Sequence, residues 1–359
     1  MNANESPYPV PKAVLDPVIN TLRETDFNFY PDTDSTELRR GIGKFLDFPP
    51  DQILVGNGSD EMIDVLIKTF VSAGDAVVSH DPTFTMYQIF TEIIGAEYYG
   101  VSADSRKQED PFSINIPALI KKANTLGAKA VFLCTPNNPT GKTLSKDQVL
   151  RVLQETRGMV VIDEAYREFS DQDFLPLLKQ GHPRLLILRT FSKANGLAGV
   201  RGGYLLGSPE TVSALHKVKP PYNVNLFTQK MLTSYISYLQ TPEGRSLIQG
   251  RISEIRRERD RLYQVLQELP GVTPYASEGN FIPFRVTAKK QEETSGEESF
   301  DKTLDQRLLE EGFHIRKFYH QSIPYYRISM GTPEENRQLI ETLQQTYYTR
   351  RGFHAKRNH

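Results

Sequence analysis

Lys193 stands in the run Thr190-Phe191-Ser192-Lys193-Ala194-Asn195-Gly196-Leu197-Ala198-Gly199-Val200-Arg201, just past an apolar stretch that reads as a strand. Strand ends are where α/β sheets meet their ligands, so an amine there has a chemical use. It can form an imine with a carbonyl compound, and Thr190, Ser192 and Arg201 carry hydroxyls and a guanidinium suited to a phosphate. A solvated lysine in a loop of small residues would read the same, so the other strand ends have to decide.

Four more motifs fall at such ends. Val55-Gly56-Asn57-Gly58-Ser59-Asp60-Glu61 leads into a helix. Its glycines let backbone N–H groups approach an anion at the helix start, or it is a plain turn capped by Ser59 or Asp60. Asp81-Pro82-Thr83-Phe84-Thr85-Met86-Tyr87 offers Phe84 either as a flat surface for an aromatic cofactor or as a core residue. Cys134-Thr135-Pro136-Asn137-Asn138-Pro139-Thr140-Gly141 holds an asparagine amide in a turn stiffened by prolines. Val161-Ile162-Asp163-Glu164-Ala165-Tyr166 places a carboxylate at the end of a buried strand. Such an Asp163 needs a cationic or proton-donating partner, whether a ring nitrogen, a helix cap or an ion pair. Taken jointly, these residues give an imine-forming Lys193, a carboxylate Asp163, and the donors Tyr166 and Asn138. Ser59, Asp60, Ser192 and Arg201 add a phosphate cradle. This set meets the requirements of pyridoxal 5'-phosphate: a carboxylate keeps the ring nitrogen protonated, so the ring can accept electrons from a substrate carbanion.

The positioning elements follow from the hydrophobic pattern. Apolar runs at 76–79, 130–134, 159–162 and 185–188, with 204–206 as a fifth, alternate with helical patterns near 60–71, 83–94, 145–155 and 209–218. That alternation predicts an α/β fold, a mostly parallel sheet flanked by helices. Two helical stretches follow, to Leu239 and over 242–269, the second charged along one face like a connector. Beyond Gly271 short strands (280–286, 313–316, 327–330) and helices (300–310 and from Pro333) predict a smaller α+β C-terminal lobe. The expected division is an N-terminal arm over 1–27, a large cofactor-binding domain over 28–258 and a small domain over 259–359. The arm, rich in proline, is expected to cross between lobes or subunits. Residues 289–298 read as an acidic surface loop, and the basic tail 350–359 as frayed.

At 359 residues the chain can bury a large core. Lys+Arg 43 against Asp+Glu 44 gives no basic groove for nucleic acid. One cysteine, Cys134, excludes an internal disulfide framework and a four-cysteine metal site, and no metal is expected. No apolar run reads as a leader or a membrane span, so a cytoplasmic protein without a membrane partner is expected.

Over nearly its whole length the chain resembles the fold-type I pyridoxal phosphate aminotransferases, and within them the histidinol-phosphate aminotransferases. Asn137-Asn138-Pro139-Thr140-Gly141, Asp163-Glu164-Ala165-Tyr166 and the Ser192-to-Arg201 run mark the subgroup. Asn4-Glu5-Ser6-Pro7-Tyr8, Tyr30-Pro31-Asp32 and Pro220-Pro221-Tyr222-Asn223-Val224-Asn225 mark the branch. The resemblance implies Lys193 as the amine that bonds the cofactor and shuttles the proton, and Asp163 as partner of the ring nitrogen. It implies Asn138 and Tyr166 at the ring hydroxyl, and Phe84 stacked on the ring. Ser59, Asp60, Thr190, Ser192 and Arg201 would hold the phosphate, joined by Tyr30 from the other subunit of a homodimer. Arg327, assisted by Arg316, would grip the anionic end of the substrate, with Asn4 and Tyr30 nearby. The implied reaction passes an amino group between L-histidinol phosphate and 2-oxoglutarate. An aromatic amino acid aminotransferase, an O-phosphothreonine decarboxylase and a non-catalytic cofactor-binding regulator are the alternatives. The chain departs from the family pattern in having Phe84 for tyrosine, Asn195 for an aromatic residue and Pro9 for glycine. It also opens almost at the Asn4-Glu5 motif, where the family has a preceding segment that helps the dimer and closes the site.

Overall fold

The computed structural model describes residues 1–103, 110–287 and 300–349. The expected acidic loop at 289–298 and basic tail at 350–359 lie outside the described residues. The large lobe is built on seven strands: β1 (Ile53–Asn57), β2 (Ala76–Asp81), β3 (Glu97–Ser102), β4 (Ala130–Cys134), β5 (Met159–Asp163), β6 (Leu185–Thr190) and β7 (Gly202–Leu206). Their order in the sheet is β1-β7-β6-β5-β4-β2-β3. Only β7 runs against the rest, pairing antiparallel with both β1 and β6. β4, β6 and β7 are buried at every position, as strands covered on both faces must be.

The helices in chain order are α1 (Lys12–Arg23), α2 (Thr36–Leu46), α3 (Gly58–Phe70), α4 (Met86–Ile93), α5 (Ile116–Leu126), α6 (Lys146–Glu155), α7 (Leu175–Lys179), α8 (Pro209–Val218), α9 (Leu226–Leu239) and α10 (Pro242–Glu268). Local chemistry sets several of their starts. Ser145 and Gln148 close a capping box on α6, and Ser208, Asn225 and Thr241 accept from the first turns of α8, α9 and α10. Two apolar clusters cover the faces of the sheet: α1, α2, α5, α6 and α9 pack on one, α3 and α8 on the other.

α10 ties the lobes. Its buried residues Ile248, Ile255, Leu262 and Leu266 repeat at seven- and four-residue spacing along one stripe. Ile248 belongs to a large-lobe cluster; the other three belong to the small-lobe core. That lobe contains β8 (Val272–Pro274), β9 (Phe281–Val286), α11 (Phe300–Glu310), β10 (Arg316–His320), β11 (Ile323–Ser329) and α12 (Pro333–Thr349). Its sheet runs β10-β11-β9-β8, antiparallel throughout.

Several expectations need correction. The strand expected at 313–316 begins at Arg316, and the one expected at 327–330 spans Ile323–Ser329. Both belong to a hairpin turned at Gln321 and Ser322, residues at φ +49° and +63°, a turn the apolar pattern does not announce. α4 starts at Met86, not Thr83, because Pro82 and the turn after it precede the helix. Within 1–27, Met1 O accepts from Ser329 N in the small lobe at 3.0 Å, while Val14 and Val18 of α1 are buried in a large-lobe cluster. Among the described residues no helix is long and apolar enough to cross a membrane, and no cluster of potential metal ligands occurs.

Candidate active site

A cavity of about 570 Å³ opens where the carboxyl ends of β2, β4, β5 and β6 face β10 and β11 of the small lobe. Every site residue expected from the sequence lines it except Tyr30. Tyr30 is 81% exposed on its own chain, stacked on Tyr222 with ring centroids 4.4 Å apart.

At one end lies a cradle for an anion. Here β7 pays off: because it runs backwards, its first residues lie beside the last residues of β1 and β6, with Asn57 opposite Gly202 and Thr190 opposite Gly203. α3 therefore starts against the mouth of β7. Its N-cap is Asn57, not Ser59 or Asp60, and the Asn57 side chain accepts nothing from the first turn. The turn's N–H groups and the positive end of the helix are thus left for a ligand. Gly58 has φ +76°, and a Cβ on it would meet the Arg201 guanidinium at 2.8 Å. A Cβ on Gly203 would lie 2.4 Å from Ser59 N. Both positions need glycine. Thr190 and Ser192, each buried, exchange hydroxyl contacts at 3.1 Å. Arg201, held at φ +57°, donates to Asp60 at 3.2 Å, which aims its guanidinium along the cradle.

In the middle is Asp163, 2% exposed. Oδ2 accepts from Tyr87 Oη at 2.6 Å and Oδ1 from Ala165 N at 3.0 Å. Among the described residues it has no cationic partner, and burial pushes its pKa up to about 6, against the pull of the Tyr87 bond. Across the cavity Lys193 Nζ donates to Ala3 O at 2.9 Å and lies 5.7 Å from the Tyr166 ring centroid. Burial, then the positive charge of Arg327, push the lysine down to about 8, which makes the free amine accessible near neutrality. Tyr166 is buried, edge-on to Phe281, and accepts from Asn4 Nδ2 at 2.9 Å. Asn4 is itself 1% exposed. Phe84 lines the wall, edge-on to Tyr87.

At the other end Arg327 on β11 faces Arg316 on β10 in register. Arg327 is buried over the Phe281 ring, donates to Asn138 Oδ1 and Asn2 O, and keeps its Nε without a partner. A buried guanidinium bonded only to neutral oxygens has capacity left for an anion.

The residues fit pyridoxal phosphate. A glycine-lined helix start awaits the phosphate, a buried carboxylate is held by neutral donors, and an amine of depressed pKa lines the same cavity. Three features of the site do not stand out in the sequence. Asn137, beside the expected Asn138, ties the loops together, accepting from Thr83 and donating to Pro82 O and Thr140. Arg189 is buried on β6 between Glu164, at 2.6 Å, and Asp173, at 3.0 Å. An arginine inside an apolar run has to be paired, and that was its signal. Tyr87, in the first turn of α4, stands three residues after Phe84, which lies in the turn before the helix.

The sequence pattern of the family described as aminotransferase class I and II matches residues 1–343. The chain is 35% identical to the histidinol-phosphate aminotransferase of Ruminiclostridium cellulolyticum, over 98% of this chain and 93% of the relative. It is 38% identical to histidinol-phosphate aminotransferase 1 of Carboxydothermus hydrogenoformans, over 96% and 91%. In fold it matches the crystal structure of histidinol-phosphate aminotransferase from Sinorhizobium meliloti, in complex with pyridoxal-5'-phosphate, with a TM-score of 0.83 at 23% identity, over 97% of this chain and 90% of that one. The chain belongs to the class I and II aminotransferases, pyridoxal phosphate enzymes, and within them to the histidinol-phosphate aminotransferase family.

Proposed function

We propose that the chain moves an amino group between L-histidinol phosphate and 2-oxoglutarate, in two half-reactions at the cavity between its lobes. The observation that carries this reading is Arg327, a buried guanidinium with an unpartnered Nε beside a second arginine, Arg316. Donor and acceptor must use one site in turn, and one ends in a phosphate, the other in a carboxylate. A planar guanidinium fork accepts either anion bidentately. The names of the Ruminiclostridium and Carboxydothermus relatives support the choice of donor.

When bound, the cofactor supplies the electron sink for the charge left as a proton leaves the substrate. Lys193 would hold the cofactor by its amine and, once released from it, move that proton. Asp163 would face the ring nitrogen, whose proton supplies the positive partner the carboxylate lacks. Tyr166 and Asn138 would donate to the ring hydroxyl oxygen, and Phe84 would cover the ring. Ser59, Thr190, Ser192 and Arg201 would hold the phosphate; Asp60, an anion itself, would act through Arg201 and its own N–H. Asn4 would orient Tyr166 on the substrate side.

A homodimer in which Tyr30 reaches the partner's cradle is supported by the exposed Phe27, Phe29 and Tyr30, at 64, 69 and 81%. We also read the chain as a cytoplasmic enzyme divided into arm 1–27, large domain 28–258 and small domain 259–359, with separate apolar clusters in the two lobes. A single-turnover screen tests the substrate. Conversion of the cofactor to its amine form should be fastest with histidinol phosphate. Conversion only with phenylalanine would overturn the assignment, and carbon dioxide release from O-phosphothreonine would replace it with a decarboxylase.

A further inference from the structure

Asp163 has few ways to stay in place. It ends β5, is surrounded by Cys134 of β4, Asp60 of α3, and Glu164 and Tyr166 of its own segment, and carries no ion pair among the described residues. Two hydrogen bonds hold it. The Ala165 N–H comes from its own chain two residues on and fixes Oδ1. Only the Tyr87 hydroxyl comes from another element, α4, and it fixes Oδ2.

Tyr87 is built to keep that hydroxyl still. It is 0% exposed, its ring stacks on Phe132 of β4 at 4.5 Å and 15°, and Phe84 meets it edge-on at 5.7 Å. A buried tyrosine serving only to fill space would still need one partner for its O–H. Here that partner is, among the described residues, the single buried carboxylate lining the cavity. The bond is charge-assisted, so it favours the ionised acid while burial opposes it. The two bonds occupy one acceptor direction on each carboxylate oxygen and leave the remaining lone pairs to a donor entering from the cavity.

We propose that Tyr87 is a positioning residue for the cofactor: its hydroxyl holds Asp163 in one orientation and in its ionised form, ready for the protonated ring nitrogen. Tyr87 also couples that carboxylate to Phe84, one turn earlier on the same segment, so the residue covering the ring and the residue meeting its nitrogen share one support. The proposal rests on the cofactor site described above.

Tyr87→Phe removes the hydroxyl and keeps the ring in its stack. Pyridoxal phosphate, titrated into apoprotein and followed by its visible absorbance, should bind about tenfold more weakly, a loss of ~1.4 kcal/mol. In an Asp163→Asn background the same substitution should change affinity less than about twofold, because the charge it serves is gone. Equal losses in both backgrounds, or no loss in the first, would overturn the proposal. A measurement on unsubstituted apoprotein stands apart from any folding defect and from cofactor binding. The Cζ carbon resonance of Tyr87 should titrate with the carboxyl carbon of Asp163 at one shared midpoint, and in Tyr87→Phe that carboxyl midpoint should rise. Independent behaviour of the two resonances sinks the idea. Failure of the unsubstituted protein to take up pyridoxal phosphate would instead count against the cofactor site itself.

Discussion

Gly203→Ala tests the anion cradle at its tightest point. The added methyl would sit 2.4 Å from both Gly58 C and Ser59 N, and 2.8 Å from Gly58 O, where ordinary contact begins at 3.4 Å. These are backbone atoms flanked by β1 and α3, so the strand and the helix start must part by about 1 Å, and overpacking of this kind costs roughly 1–3 kcal/mol. The displaced atoms include an N–H that the cradle presents. Losing one hydrogen bond to a charged group costs about 1.5–3 kcal/mol, so cofactor affinity should fall roughly 10- to 150-fold. The assay is titration of apoprotein with pyridoxal phosphate alongside thermal unfolding of the apo form. Gly199→Ala, in the connection just before β7, is the control, since nothing lies within 4 Å of its Cβ; both readouts should stay put. If Gly203→Ala binds the cofactor as tightly as the parent, the helix start is not where the phosphate sits.

Capture of pyridoxal phosphate by apoprotein should speed up as pH rises and level off above about 8, because only the neutral Lys193 amine can attack the carbonyl. Arg327→Gln removes a positive charge that depresses this amine, so the stopped-flow midpoint should move upward; a rate indifferent to pH across 8 would contradict the assignment. Arg327→Ala should slow both half-reactions in single-turnover experiments, whereas an effect on one alone would separate the phosphate and carboxylate sites. Asp163→Asn should weaken cofactor binding, to a level still measurable by titration, yet stabilise the apoprotein at neutral pH. The sign follows from the raised folded value, about 6 against 3.8: the native state holds the proton more tightly than the unfolded chain, so stability is lost as pH rises through about 6. Removing the charge returns up to ~3 kcal/mol, and the amide can keep both contacts, its oxygen accepting from Ala165 N–H and its NH2 donating to the Tyr87 oxygen. Urea unfolding of the apo forms at neutral pH, with equal or lower stability in the variant, would count against this.

Strands buried on both faces advertise themselves as unbroken apolar runs, and that made β2, β4, β5 and β6 legible. β3 is half exposed at the sheet edge and spells Glu97-Tyr98-Tyr99-Gly100-Val101-Ser102, which carries no such run. β1 runs into a glycine motif, and Gly56 and Asn57 dilute its apolar pattern. In the small lobe the register slipped, since Tyr325 and Tyr326 are as buried as the aliphatic Ile328 yet do not stand out as an apolar block. Cavity-lining residues were legible for a different reason. Lys193, Asp163, Asn138 and Arg201 are polar types placed where an apolar run stops, and only a ligand or a partner tolerates them there. Tyr87 and Arg189 support the site from behind, inside elements that look like ordinary core, so no local contrast marked them.

The reversal of β7 also bears on the order in which the molecule can assemble. The β6–β7 connection is local, spanning the residues from Phe191 to Arg201, so Lys193, Ser192 and Arg201 come together early with little loop entropy to overcome. β1 is far away along the chain, yet it pairs with β7 and brings α3 to the same corner. The anion cradle is therefore a long-range junction, completed only when the first and last strands of the large lobe have met. A ligand held there binds the finished sheet and not its precursors. Pyridoxal phosphate would then act by mass action on folding as well as on catalysis, drawing the chain toward the native state in proportion to its free concentration.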